Sequence, residues 1–241
     1  MKMEFLSGIK AGIPIMAGYL PLAFAYGVLA TAWGLTPAAT VAMSVFVYAG
    51  ASQFLAIGLL AAEATLSTIV LSTFILNLRH VLMALTLSAG WRHFGRWRLV
   101  VAAAHLTDET FAVITAAPPE QQPPSSGWLY GLQLSAYLSW VAGSAAGAML
   151  GHLAPEPAVY GLDFALPAMF LALMVLQITD RAKALAALAA VVIYRLSLLF
   201  CASHWAVLLA ACLAGGLAAF WFAPKAADTG NNKSLHTNPS R

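Results

Sequence analysis

Residues 64–89 read ATLSTIVLSTFILNLRHVLMALTLSA, an apolar run of transmembrane length interrupted by Asn77-Leu78-Arg79-His80. A helix over that run spans the ~30 Å hydrocarbon core of a bilayer with some tilt. Ten residues separate Arg79 from the break at Gly90, so its guanidinium cannot easily reach the interface. Holding the charge inside costs about 2.5–3.5 kcal/mol on insertion scales, so Arg79 is expected to face protein, water or a counter-ion. Thr73, Asn77 and His80 follow at i, i+4 and i+7, which lays a polar stripe along the same helix.

The rest of the chain has the composition of a bilayer protein. Of 241 residues, 61% are hydrophobic and 9% charged, with a mean hydropathy of +0.80. This excludes a soluble domain and makes the chain an all-α, polytopic integral membrane protein. The net charge of +3 comes from short basic clusters between apolar runs, a topology signal that implies no nucleic-acid partner. Cys201 and Cys212 fall in apolar stretches and read as small hydrophobes, neither a disulfide nor a metal pair. Lys2 and Lys10 bracket the acidic Glu4 before a long run rich in Gly and Pro, so the first span is expected to serve as its own insertion signal. Residues 224–241 are polar and read as a solvated tail after a single transmembrane domain, 1–223.

Seven or eight apolar segments are expected. Eight runs can be marked, at about Gly8–Ala30, Ala38–Leu60, Ala64–Ala89, Leu99–Ala117, Trp128–Leu150, Asp163–Ile178, Ala184–Phe200 and Trp205–Phe222. Trp33, Trp91, Trp97, Trp128 and Trp205 lie at run ends, as an interfacial aromatic belt would place them. At an offset of 116 residues, Phe54-Leu55-Ala56 falls on Phe170-Leu171-Ala172, Tyr48 on Phe164, and Arg79 on Arg195. Two intramembrane arginines in register suggest an internal pseudo-repeat, about 8–117 and 128–222, with a site between the halves. Basic clusters at Lys2/Lys10 and at Arg92/Arg96/Arg98 both claim the cytoplasm, yet three runs lie between them. One run is therefore expected to be broken or re-entrant. The second is the best suspect, because Ala49-Gly50-Ala51-Ser52-Gln53 weakens its middle; the fourth and sixth compete.

Three groups of residues can carry chemistry. Ser44, Tyr48 and Ser52 repeat every fourth position with Gln53 beside them, which reads either as helix packing or as the lining of a path for an ammonium or carboxylate ligand. In the fourth run His105, Asp108 and Glu109 stand at i, i+3 and i+4, on one face if the helix is continuous. Adjacent carboxylates in an apolar helix repel, so one is expected to carry a proton and act as a relay, unless both are solvated or paired with Arg79. Arg79 and Arg195 balance Asp108 and Glu109 in charge, which structural pairing alone also explains. His105-x-x-Asp108-Glu109 lacks a second ligand cluster, so no metal and no cofactor is expected. No nucleophile elbow, zinc-binding His-Glu-x-x-His or phosphate loop is present, which argues against an enzyme.

Tyr48-Ala49-Gly50-Ala51-Ser52-Gln53-Phe54, then Leu78-Arg79-His80, then Leu106-Thr107-Asp108-Glu109 with Phe111, and Leu166-Pro167-Ala168-Met169-Phe170 come in an order that resembles the AzlC family. These are large subunits of two-component branched-chain amino acid exporters, and the resemblance covers roughly Gly8 to Phe222. It implies efflux of Leu, Ile and Val, and in some members Met, across the bacterial cytoplasmic membrane. A small AzlD-type membrane partner and coupling to the proton motive force are implied with it. Members often carry an acid where Asn77 stands, so any proton role of that acid must here have moved to Asp108 or Glu109. Burial cost and helical phase, rather than the resemblance, assign Tyr48, Ser52, Gln53, Asn77 and Arg79 to substrate binding, His80, His105, Asp108 and Glu109 to proton coupling, and Arg195 to a structural intramembrane charge. An intramembrane enzyme and a structural subunit of another membrane complex are the alternatives.

Overall fold

The structure is a computed structural model that describes residues 2–88, 90–91, 94–117, 124–151, 161, 164, 167–168, 171, 174–175, 178, 180–200 and 203–222. Nine helices are seen among them: α1 (Lys2–Ala32), α2 (Pro37–Phe46), α3 (Gly50–Ala61), α4 (Leu66–Ser88), α5 (Arg96–Ala104), α6 (Asp108–Ala116), α7 (Ser126–Leu150), α8 (Arg181–Ser197) and α9 (Ser203–Phe222). The chain divides into two compact units, Met1–Leu171 and Ala172–Arg241. The second contains α8 packed on α9. Expectations resting on Arg92, Asp163, Leu166, Met169, Phe170, Ala172, Cys201 and the 224–241 tail lie outside the described residues.

The first unit is built on α1 and α7, which lie against each other along nearly their whole length. In α7 and its C-cap a small residue recurs every fourth position: Gly131, Ser135, Ser139, Gly143, Gly147 and the cap Gly151. Gly131 meets Phe5, Gly143 meets Leu20, Gly147 meets Phe24 and Gly151 meets Val28, so the two helices run parallel. A methyl group built on Gly147 would stand 2.1 Å from the Phe24 carbonyl oxygen, and one on Gly8 would stand 2.0 Å from that of Trp128. Backbones that close need glycine, which is how helices associate where lipid removes the hydrophobic drive. Pro14 and Pro21 sit inside α1 without ending it, as membrane helices tolerate when neighbours occupy the freed carbonyls.

Around this pair the apolar runs are cut into shorter pieces by local signals. Thr36 caps α2 by accepting from the Ala39 N–H at 3.2 Å, with Pro37 at the first helical position. The second run divides at Val47–Ala49, and the chain resumes as α3 at Gly50, where a Cβ would stand 2.5 Å from the Trp140 ring. The fourth run, which competes with the second for a break, is broken as well. It is two helices, α5 and α6, bent by 118° across His105–Thr107. Thr107 stops the first and starts the second: its Oγ1 accepts from the Thr110 N–H while Thr110 Oγ1 accepts from the Thr107 N–H, a reciprocal cap. His105, Asp108 and Glu109 therefore do not share one helix face; His105 closes α5, and the two acids open α6.

Among the described residues, α1 and α4 are long and apolar enough to cross a membrane, and the bent α5–α6 pair makes three if it is one span. The seven or eight segments read from hydropathy are thus not all single long helices, because α2, α3, α5 and α6 have only 9 to 12 residues each. At about 1.5 Å per residue, none of those four reaches across ~30 Å alone. The aromatic belt also needs correction at Trp91, which is buried with its ring 6.0 Å from that of Phe94, whereas Trp97 is 81% exposed. In the second unit Asp180 caps α8 by accepting from the Lys183 N–H at 2.9 Å, and that bond holds its carboxyl below the usual range. Arg195 lies exposed in the last turn of α8, where a cation suits the negative end of the helix dipole.

Candidate functional site

Both breaks are held by side chains from α7. After Phe46 and after Ala104 the backbone leaves carbonyls without helical partners. Tyr137 donates to the Val45 carbonyl at 3.1 Å and Gln133 donates to the Ala102 carbonyl at 2.7 Å. One turn further along, Trp140 Nε1 donates to Gln53 Oε1 at 2.7 Å, Gln53 Nε2 donates to Ser44 Oγ at 3.0 Å, and Ser44 donates to Ser144 Oγ at 2.7 Å. Residues 133, 137, 140 and 144 follow helical spacing, so a single row on α7 anchors both interrupted helices.

The sequence-derived residues separate into two groups on this frame. Gln53 and Ser44 are fully buried and bonded to protein at every polar atom the chain of contacts uses, so they fasten α3 to α7 and α2. Gln53→Leu is expected to strand the Trp140 indole N–H, at a cost of about 1–3 kcal/mol for an unsatisfied buried donor. A lower thermal midpoint of the detergent-purified chain, with Gln53→Glu less affected, checks this; an unchanged midpoint for the leucine variant contradicts it.

The second group converges. Asn77 on α4 accepts from Ser52 of α3 at 2.7 Å. Arg79, two residues on, meets Asp108 of α6, Nη1 to Oδ2 2.7 Å, with 30% and 17% of the two side chains exposed. Arg79 Nε is buried without a partner. His80 bonds the Asn77 carbonyl through Nδ1 at 3.2 Å, and His105 bonds the Val101 carbonyl at 2.9 Å. Across the two breaks the rings of Tyr48 and His105 lie 6.2 Å apart, each within about 5 Å of Tyr137, at 5.0 and 5.1 Å. The Tyr48 hydroxyl is buried and unpartnered. No side chain caps the N-terminus of α3, because Ala49 has no acceptor to offer, so its first N–H groups are left uncapped.

Four residues that the sequence reading did not single out complete the arrangement. Tyr19, 6% exposed in the middle of α1, lies 2.5 Å from Glu109 Oε2 and 2.8 Å from Thr107 Oγ1 through its hydroxyl. Its ring stands edge-on to Trp140 at 5.2 Å. Tyr137, Trp140 and Gln133 are the α7 anchors. A signal existed for three of them: Tyr19, Tyr137 and Trp140 are aromatics with a polar atom in the middle of apolar runs, where a belt does not place them. Among the described residues no group of three His, Cys, Asp or Glu is arranged to hold a metal ion.

Residues 14–154 match the AzlC protein family. The chain belongs to the AzlC family. The matched stretch runs from the first proline of α1 past the end of α7, so every residue of the convergent group lies inside it. Among relatives, inner membrane protein YgaZ of Escherichia coli is 33% identical over 228 residues, 90% of this chain and 91% of YgaZ. The branched-chain amino acid transport protein AzlC of Bacillus subtilis is 27% identical over 173 residues, 72% of this chain and 67% of that protein. A membrane protein of Helicobacter pylori is 32% identical over 179 residues, 72% of this chain and 77% of its own length. No solved structure matches. The AzlC-family chain is accordingly a helical membrane protein; Tyr48–Phe54 runs from the first break into α3 and Leu106–Glu109 from the second into α6.

Proposed function

We propose that this chain is the large, multi-pass subunit of an exporter of branched-chain amino acids, working with a small AzlD-type partner in the bacterial cytoplasmic membrane, and that it is not an enzyme. Two helices interrupted beside each other are the observation that supports this reading most. Irregular backbone at membrane depth is tolerated where it lines a cavity, and interrupted helices are how transporters present backbone donors and acceptors to a small solute. A zwitterionic amino acid matches what the first break offers. Its carboxylate suits the uncapped N–H groups of α3 and the free hydroxyl of Tyr48. Ser52, Asn77 and Arg79 border the same place from α3 and α4, with Gln53 setting the position of α3. Eight apolar runs, some crossing as paired half-helices, supply the span count. Helices α4 and α8 begin at Leu66 and Arg181 and carry Arg79 and Arg195 at nearly matching places, which supports a pseudo-repeat.

In this mechanism Asp108 and Glu109, with His80 and His105 nearby, exchange the proton that drives the switch between inward and outward states. Vesicles loaded with Leu, Ile, Val or Met, with and without the small partner and an imposed pH gradient, test the reading. Gradient-dependent efflux of the branched residues is expected only with the partner, and Asp108→Asn with Glu109→Gln is expected to remove the pH dependence. Efflux of none of the four, or a pH dependence untouched by both substitutions, refutes it.

A further inference from the structure

The two acids that open α6 are adjacent in sequence but differ in partner. Asp108 forms an ion pair with Arg79 of α4, Nη1 to Oδ2 2.7 Å. Among the described residues Glu109 has no ion pair. Its Oε2 instead lies 2.5 Å from the hydroxyl of Tyr19, which donates to it from the middle of α1. The same hydroxyl stands 2.8 Å from Thr107 Oγ1, so one phenol holds both residues that flank Asp108. Thr107 is the cap that starts α6. Tyr19 is itself fixed, 6% exposed and with its ring edge-on to Trp140 of α7. The second break is thus tied to the α1–α7 pair through Tyr19.

Gaining a proton has a different cost at each acid. Protonating Asp108 breaks its pair and strands the Arg79 guanidinium, whose Nε is already buried without a partner. Protonating Glu109 breaks no ion pair and ends the repulsion between neighbouring carboxylates. It exchanges a charge-assisted hydrogen bond, roughly twice as strong as a neutral one, for a neutral bond to the same phenol. It also removes one of two acids' charges from the first turn of α6, where the helix dipole favours them. The other titratable or charged groups around Glu109 are Asp108 on α6, Arg79 and His80 on α4, and Tyr48 between α2 and α3, with the rings of Tyr137 from α7 and His105 from the end of α5 against Tyr48. The hydrogen bond that Glu109 makes goes to Tyr19.

We infer that Glu109, rather than Asp108, carries the coupled proton, and that Tyr19 is the positioning residue that converts its charge into the docking of α6 on α1. Ionised, Glu109 fastens the start of α6 to Tyr19. Protonated, it loosens that hold while the Arg79–Asp108 pair stays intact. The proton comes from water and returns to it, and the carboxyl O–H is the one bond that forms and breaks. Rising pH therefore fastens α6, and falling pH frees it to move about the 118° bend. This rests on the transport reading above and names which of its two acids moves the switch.

Two measurements on the full chain in lipid decide it. The pH-difference infrared spectrum of the wild type is expected to contain a protonated-carboxyl component that Glu109→Gln lacks. Amide hydrogen exchange over Asp108–Ala116, at a pH where Glu109 is ionised, is expected to be about tenfold faster in Glu109→Gln, the difference between a charged and a neutral hydrogen bond. Tyr19→Phe keeps the ring that packs on Trp140 and is expected to speed exchange at least as much. Adding Glu109→Gln to Tyr19→Phe is expected to do markedly less than Glu109→Gln does alone, because the two groups act through one bond. Equal effects of Glu109→Gln with and without the Tyr19 hydroxyl overturn the positioning role. A carboxyl component that survives in Glu109→Gln overturns the assignment of the proton. Should Tyr19→Phe fail to fold, a ring-fluorinated tyrosine at position 19, a stronger donor of nearly the same shape, decides: slower exchange in the wild type but not in Glu109→Gln supports the contact, and unchanged exchange overturns it. Gradient-dependent efflux is read in parallel on wild-type vesicles with the small partner. Its absence removes the transport reading and the coupling with it; with efflux present, the infrared and exchange results judge this inference alone.

Discussion

Arg79→Met is expected to abolish transport and to reduce the amount of folded chain in the membrane. The substitution leaves Asp108, only 17% exposed, without its cation. Breaking a fully buried pair costs about 3–5 kcal/mol because one charge is stranded, and the 30% exposure of Arg79 places this pair toward the lower figure. The double variant Arg79→Met/Asp108→Leu removes both charges and is expected to recover yield, since a neutral pair of similar volume is tolerated there. Transport per molecule should stay absent in the double variant if the guanidinium serves the solute. Wild-type transport in that variant would reduce the pair to a brace between α4 and α6, which its direct 2.7 Å contact equally suits. Solute efflux normalised to membrane yield distinguishes the two.

Gly147→Val is expected to have the largest effect on folding. Its Cβ would stand 2.1 Å from the Phe24 carbonyl oxygen and 3.0 Å from the Phe24 Cα, and backbone cannot step aside as a side chain does. Overpacking costs about 1–3 kcal/mol where side chains can yield. Here α1 and α7 must part, so the loss should exceed that range and leave aggregated chain. Gly18 and Gly58 are the controls. Nothing lies within 4 Å of a Cβ at either, so Ala there should stabilise by up to about 1 kcal/mol through helix propensity. Size-exclusion profiles and thermal midpoints in detergent read both effects. A Gly147→Ala chain with the wild-type midpoint would mean that α1 and α7 do not approach as described.

Burial cost made the ionisable residues conspicuous before any tertiary contact was known. Arg79 and Asp108 stand in runs too apolar to leave a charge alone, and an intramembrane charge of each sign invites pairing. The break in the second run was visible at Ala49-Gly50 for the same kind of reason, a patch of small residues in mid-span. The fourth run stood only as a competitor to the second for a break, although Thr107-x-x-Thr110 has the spacing of a reciprocal cap. Hydropathy cannot report it, because the apolar pattern continues through both half-helices while the chain turns by 118°. Trp91 was misplaced at an interface because position at a run end says nothing of whether an indole faces lipid or Phe94.

By itself, then, the order of amino acids determined the solvent, the helical class and the identity of the charged and hydroxyl-bearing groups that must be sheltered, since those follow from transfer free energies that each residue carries with it. The family motifs are likewise local. Only the tertiary structure decided that Gln53 is spent on Trp140 and Ser44 while Tyr48 is left free, and that Tyr19 reaches Glu109 across 90 residues of chain. Partner choice depends on how closely α1 and α7 approach and where two half-helices end. Those distances arise from packing between segments far apart in the chain, which no window along it contains.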